Sequence, residues 1–165
     1  MRFPLPVICM DAAVDSIPPT VDEARSLYAG LPELYPAEDT WHRVTHQWIA
    51  SQVRKVVPFE SVRRDSPLLN LGSAGVSFGF PESATLHVDI HSAGFSHDQR
   101  LVIADIQRLP PLGMTFATCL CVGSVLNHCT AAEVIANIHS VLRPGGMLLL
   151  EFESSRSFAL LPTHI

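Results

Sequence analysis

Residues 67 to 80 read PLLNLGSAGVSFGF, a leucine run broken by Asn70 that enters a Gly-Ser-Ala-Gly turn. Gly72 and Gly75 in such a turn give up side-chain packing so that bare backbone, with Ser73 between, can approach a partner closely. Further along, LHVDIH carries Asp89 and VIADIQRLP carries Asp105. A carboxylate at Asp89 accepts two hydrogen bonds from vicinal hydroxyls such as a ribose presents. Asp105 can accept from an exocyclic amine such as that of adenine while the next N–H, of Ile106, reaches the ring; a cap on a turn explains Asp105 equally well. FATCLCVGSVLNH then ends with Gly123 and Ser124, small residues where a backbone must run past a ligand. His128 follows at the rim and can accept a proton near neutral pH, or simply cap the helix after it.

These residues need a frame. Leu68 to Leu71, Thr85 to Ile90, Leu101 to Ile106, Phe116 to Val122 and Met147 to Phe152 have strand length and are largely apolar, as buried parallel strands are. The expectation is an α/β, Rossmann-like, mostly parallel sheet of about five strands preceded by N-terminal helices. Thr20 with Glu23 forms a capping box for a short helix to Tyr28. A second helix starts near Asp39 or Thr40, with Trp41, Val44, Trp48, Ile49, Val53 and Val56 at helical spacing until Pro58. Thr130 with Glu133 opens a third, whose apolar face is Val134, Ile135, Ile138, Val141 and Leu142, ending at Pro144, Gly145 and Gly146. Strand, helix and strand of this length make a right-handed βαβ unit. Residues 72 to 84 and 91 to 100 are short for parallel crossovers, so helices there must be a turn or absent. The chain reads as one domain, with an arm and helices over 1–58, an α/β core over 66–155 and a tail over 156–165.

Composition removes several alternatives. At 165 residues, 47% hydrophobic and 16% charged, the chain can bury a core. A net charge of -5, with Lys55 the single lysine among eleven basic residues, leaves no footprint for a polyphosphate backbone, so a small molecule is the expected partner. Pro4, Pro6 and Asp11 interrupt the N-terminal apolar run, and no segment approaches the ~20 apolar residues of a membrane span, so a soluble, cytoplasmic protein is expected. Cys9, Cys119, Cys121 and Cys129 show no paired spacing and read as reduced core thiols. His42 and His46 stand four apart on a helix, but no third ligand accompanies them and no metal site is expected.

The ordered set LLNLGSAG, HVDI, ADIQRLP, CVGSVLNH and VLRPGGMLLLEFE resembles the class I S-adenosylmethionine-dependent methyltransferases over about Trp41 to Ser155. The resemblance implies S-adenosylmethionine as cofactor and methyl transfer to an acceptor. It places Gly72, Ser73 and Gly75 at the methionine part, Asp89 at the ribose, Asp105 and Ile106 at the adenine, and Val122 and Gly123 along the far wall. Asn70 stands where the family usually has an acidic residue near the ligand's amino group. Ala74 replaces the family's central glycine. The family's sheet also continues with two strands after the fifth, so the chain reads as a C-terminally shortened member.

Two other readings share these motifs. A nicotinamide-dependent dehydrogenase could use the same turn and Asp89, but Tyr28 and Tyr35 are the only tyrosines, and the late Tyr-Lys pair of short-chain reductases is missing. A degenerate, non-catalytic methyltransferase fold acting as a binding or scaffold protein is the second. An uncovered fifth-strand edge would favour a homodimer.

Overall fold

The structure, a computed structural model, describes Asp22, Glu23, Arg25, Ser26 and residues 40–153. Asp22, Glu23, Arg25 and Ser26 are helical, where the Thr20 capping box predicts a helix. The rest of that predicted helix, the proline-rich arm and the tail lie outside the described residues. The second predicted helix is α1, Thr40–Val56, which stops shortly before Pro58 as an unfavourable residue for helix continuation requires. Its inward face is narrower than the apolar pattern implied. Ile49, Ala50 and Val53, with Val57 just beyond the helix, are buried, whereas Val44, Trp48 and Val56 are exposed. At 3.6 residues per turn Val44 and Trp48 fall on the side opposite Val53, and a single sheet can cover only one stripe. The side chains of Trp41 and His42 lie outside the described residues.

Five strands follow: β1 (Leu68–Leu71), β2 (Thr85–Asp89), β3 (Leu101–Ile103), β4 (Phe116–Cys121) and β5 (Leu142–Leu150). They form one sheet in the order β3-β2-β1-β4-β5, every neighbouring pair parallel. This is the expected Rossmann-like architecture through its fifth strand. β3 is shorter than predicted because, after the Ala104 N–H bonds the Asp89 carbonyl, the chain turns away at Asp105. β5 begins earlier than predicted. Leu142 already pairs with Phe116, and the next pair is Met147 with Thr118, so Pro144, Gly145 and Gly146 are absorbed as an irregularity with Gly145 at φ +76°.

Between β4 and β5 runs α2, Ala131–Val141. Thr130 is its N-cap residue, but the predicted capping box does not form: the Thr130 side chain makes no cap bond. The Glu133 and Val134 N–H groups donate to the Thr130 carbonyl, and the Thr130 N–H donates to Gln107 Oε1 at 2.6 Å. The β1–β2 connection contains only a 3-10 turn at Glu82–Ala84, and 90–100 contains no helix, as their lengths implied.

Strand alternation divides the core. One face carries Leu68, Leu120 and Val122 and packs against Val53 and Val57, Phe78 and Phe80. The other carries Leu69, Leu71, Val88, Cys119 and Cys121 and packs against Val134 and Ile138 of α2. Among the described residues no helix is long and apolar enough to cross a membrane.

Candidate functional site

The polar residues singled out in the sequence lie at or just past strand ends: Asn70 on β1, Asp89 at the end of β2, Asp105 after β3 and Ser124 after β4. Asn70 and His87 are register partners on β1 and β2, so their side chains leave the same face. Asn70 is 1% exposed, and its Nδ2 donates to the Val76 carbonyl at 2.8 Å. That bond fixes the amide orientation, because only nitrogen can face a carbonyl. Oδ1 is then left buried with no partner, an unusual condition for a polar atom in a folded chain.

The glycine turn folds down on β2. Asp89 is buried, its Oδ2 accepting the Ala74 N–H at 2.9 Å and its Oδ1 the His91 N–H at 3.4 Å. Ser73 Oγ lies 2.7 Å from His87 Nδ1, and His87 Nε2 lies 3.2 Å from Glu82 Oε2. Gln99 Nε2 bridges the Gly75 carbonyl at 2.8 Å and Glu82 Oε1 at 3.2 Å. Phe95 meets the His87 ring edge-on. Burial pushes the His87 pKa down, against the opposing pull of the Glu82 carboxylate, so the ring is held neutral.

The glycines have neighbours within the chain. A Cβ on Gly72 would lie 2.6 Å from the Val125 methyls, and one on Gly75 would strike the Gly94 carbonyl. Their backbones at φ +62° and +84° therefore serve the meeting of the turn with two other loops. Ala74, Phe78 and Ser124 are non-glycine residues at positive φ, two in the β1–β2 connection and one in the turn after β4. Backbone strain of this kind concentrates at functional sites.

After β4, Val122 is buried beside Leu120 and Gly123 is exposed. The N–H groups of Gly123 and Ser124 both donate to Glu151 Oε2, at 2.6 and 2.8 Å. Asn127 and the Glu153 backbone exchange two hydrogen bonds, at 2.8 and 2.9 Å. His128 ends the 3-10 turn Val125–His128, half-buried. Asp105 accepts the Gln107 N–H at 2.8 Å, the turn-capping geometry, and Ile106 is buried against the α2 side of the sheet.

Sequence reasoning missed the Ser73–His87–Glu82–Gln99 chain. The period-two spacing of His87 and Asp89 was the available signal; nothing in the sequence marks Glu82. Cys9 lies outside the described residues; among the described thiols Cys119 and Cys121 are buried and Cys129 half-buried, and burial raises Cys119, pushes Cys121 up to about 12 and Cys129 up to about 11, so none of these three is a thiolate near neutral pH. His46 stacks on Phe78 and its pKa is lowered by burial. Among the described residues no group of three metal-ligating side chains occurs.

No family model and no curated protein matches this sequence. Solved structures do. The sugar N-methyltransferase KedS8 of a Streptoalloteichus species superposes with a TM-score of 0.50 at 17% identity, over 94% of this chain and 62% of that one. The amino pentose methyltransferase CalS10 of Micromonospora echinaspora, solved with S-adenosylmethionine bound, gives 0.48 at 24% identity over 79% and 56%. DesVI of Streptomyces venezuelae gives 0.48 at 18% over 78% and 55%. The chain thus spans a little over half the length of these proteins. Its strand order and the KedS8 likeness identify the fold as that of the class I S-adenosylmethionine-dependent methyltransferases, through β5.

Proposed function

We propose that this chain binds S-adenosylmethionine at the ends of β1, β2, β3 and β4 and transfers its methyl group to a small-molecule acceptor. The observation that carries the reading is the unpartnered, buried Oδ1 of Asn70 beside the glycine turn. An acceptor left bare there suits a ligand amino group. Asn70, Gly72, Ser73 and Gly75 would hold the methionine part, Asp89 the ribose, Asp105 and Ile106 the adenine, with Val122 and Gly123 as the wall. A carboxylate has about four acceptor positions, so the bonds Asp89 and Asp105 make within the chain leave room for a ligand's donors. The cofactor supplies an electrophilic methyl and its own leaving group. The protein's part is then to orient and exclude water, with His128 proposed to take the proton from an acceptor hydroxyl or ammonium. KedS8 is named a sugar N-methyltransferase, which makes a small amine the acceptor class to try first.

A second reading is a binding or scaffold protein with no transferase activity. It is favoured by the degree to which the site is satisfied internally: Ala74 on Asp89, and Gly123 and Ser124 on Glu151. Calorimetry with S-adenosylhomocysteine, followed by turnover assays on small amines, separates the two. Binding with turnover supports the enzyme, binding alone the scaffold, and no binding overturns the cofactor assignment.

A further inference from the structure

We propose that Glu82 and His87 are positioning residues that turn the Ser73 hydroxyl inward, so that the glycine turn offers its ligand an acceptor for a cationic or N–H-bearing group. This rests on the S-adenosylmethionine reading and specifies how the turn meets that ligand. Glu82 Oε2 faces His87 Nε2 at 3.2 Å, and a carboxylate can only accept, so Nε2 carries the ring proton. His87 is fully buried, and burial keeps it neutral although Glu82 and Asp89 both attract a second proton. Nδ1 is therefore bare and must accept. The proton in the 2.7 Å contact to Ser73 then belongs to the serine hydroxyl. Its remaining lone pairs point away from His87.

Asn70 adds the second half. It is the β1 register partner of His87, and its one donor group is committed to Val76, leaving Oδ1 bare and buried. Ser73 Oγ and Asn70 Oδ1 are thus both acceptors related through His87, one by a hydrogen bond and the other by strand register, without a carboxylate at Asn70. Were His87 protonated, or its proton moved to Nδ1, the Ser73 hydrogen would turn outward and oppose a cationic group. Glu82 and His87 thus set the sign of this corner.

Glu82→Gln tests this with little change of shape. Gln99 still needs an acceptor at position 82, so the new amide presents its N–H₂ to His87 Nε2 and drives the ring proton to Nδ1. Nitrogen-15 spectra of the ligand-free protein at neutral pH should show wild-type His87 protonated on Nε2 and the Glu82→Gln protein protonated on Nδ1. Affinity for S-adenosylhomocysteine should fall about tenfold in Glu82→Gln and less in Ser73→Ala. The double variant should match Ser73→Ala alone, because without the hydroxyl its direction no longer matters. A wild-type proton on Nδ1, an unchanged Glu82→Gln spectrum, or losses that simply add overturns the assignment while leaving the cofactor reading standing. Failure of the wild type to bind S-adenosylhomocysteine overturns the cofactor reading and this inference together.

Discussion

Asp89 is asked to serve two partners. It accepts the Ala74 N–H and so pins the glycine turn, and it is proposed to hold the ribose. Asp89→Ala should weaken S-adenosylhomocysteine about thirtyfold, on the order of 2 kcal/mol. Asp89→Asn should lose less, since its amide oxygen still accepts from Ala74. Calorimetry showing wild-type affinity in a folded Asp89→Ala protein would place the ribose elsewhere. The buried histidines give a second measurement. His87 and His46 have pKa values below the ordinary 6.5 through burial, so the unfolded chain takes up these protons before the folded one does. Their contribution is complete above pH 6.5 and is lost as pH falls through the lowered folded values. Urea midpoints should therefore be lower at pH 5.5 than at 7.5, and a flat profile between those values would contradict the buried, neutral state. Asp89 and Asn70 can be singled out from the sequence because their types and spacing are informative. His87 cannot be, because a histidine in a strand reads as core until its partners, Ser73 and Glu82, are brought to it by the turn.

At the scale of elements, legibility followed periodicity. The α2 crossover announces itself by Val134, Ile135, Ile138, Val141 and Leu142 at helical spacing and by strands on either side, but only Val134 and Ile138 are buried, Ile135 is exposed and Leu142 already belongs to β5. α1 was found for the same reason, but its buried face was misjudged because Val44 and Trp48 continue the apolar pattern onto the solvent side. Val53 is 1% exposed and Trp48 59%. Val53→Ala should destabilise by about 2 kcal/mol through a cavity against the sheet, whereas Trp48→Ala should stay within about 0.5 kcal/mol. Comparable urea shifts for the two would mean that α1 sits differently on the sheet. The β1–β2 connection follows no period at all. It is shaped by close backbone approaches, which leave no pattern beyond the glycines. Gly75→Ala confronts both φ +84° and the Gly94 carbonyl, and should destabilise by roughly 1–3 kcal/mol. Hydrogen exchange would show that loss centred on 72–76 and 91–95; an unperturbed loop would remove the packed-turn account.

At the scale of the molecule, the sheet has a long edge. β5 pairs with β4, and among the described residues no strand lies on its other side. The Glu151 N–H donates to the Cys121 carbonyl, so the N–H groups at 149 and 147 face β4 by alternation, and those at 148 and 150 face outward. A parallel strand of nine residues with outward donors and acceptors invites another strand. The expected outcome is that the 165-residue chain associates with a second copy, seen as a mass rising with concentration in light scattering. Leu150→Pro removes an outward N–H while leaving the bonds to β4, so it should weaken association and preserve the circular-dichroism spectrum. A wild-type mass that stays monomeric across a hundredfold range of concentration, about 2.7 kcal/mol of association free energy, would show that this edge is covered by something other than a partner chain.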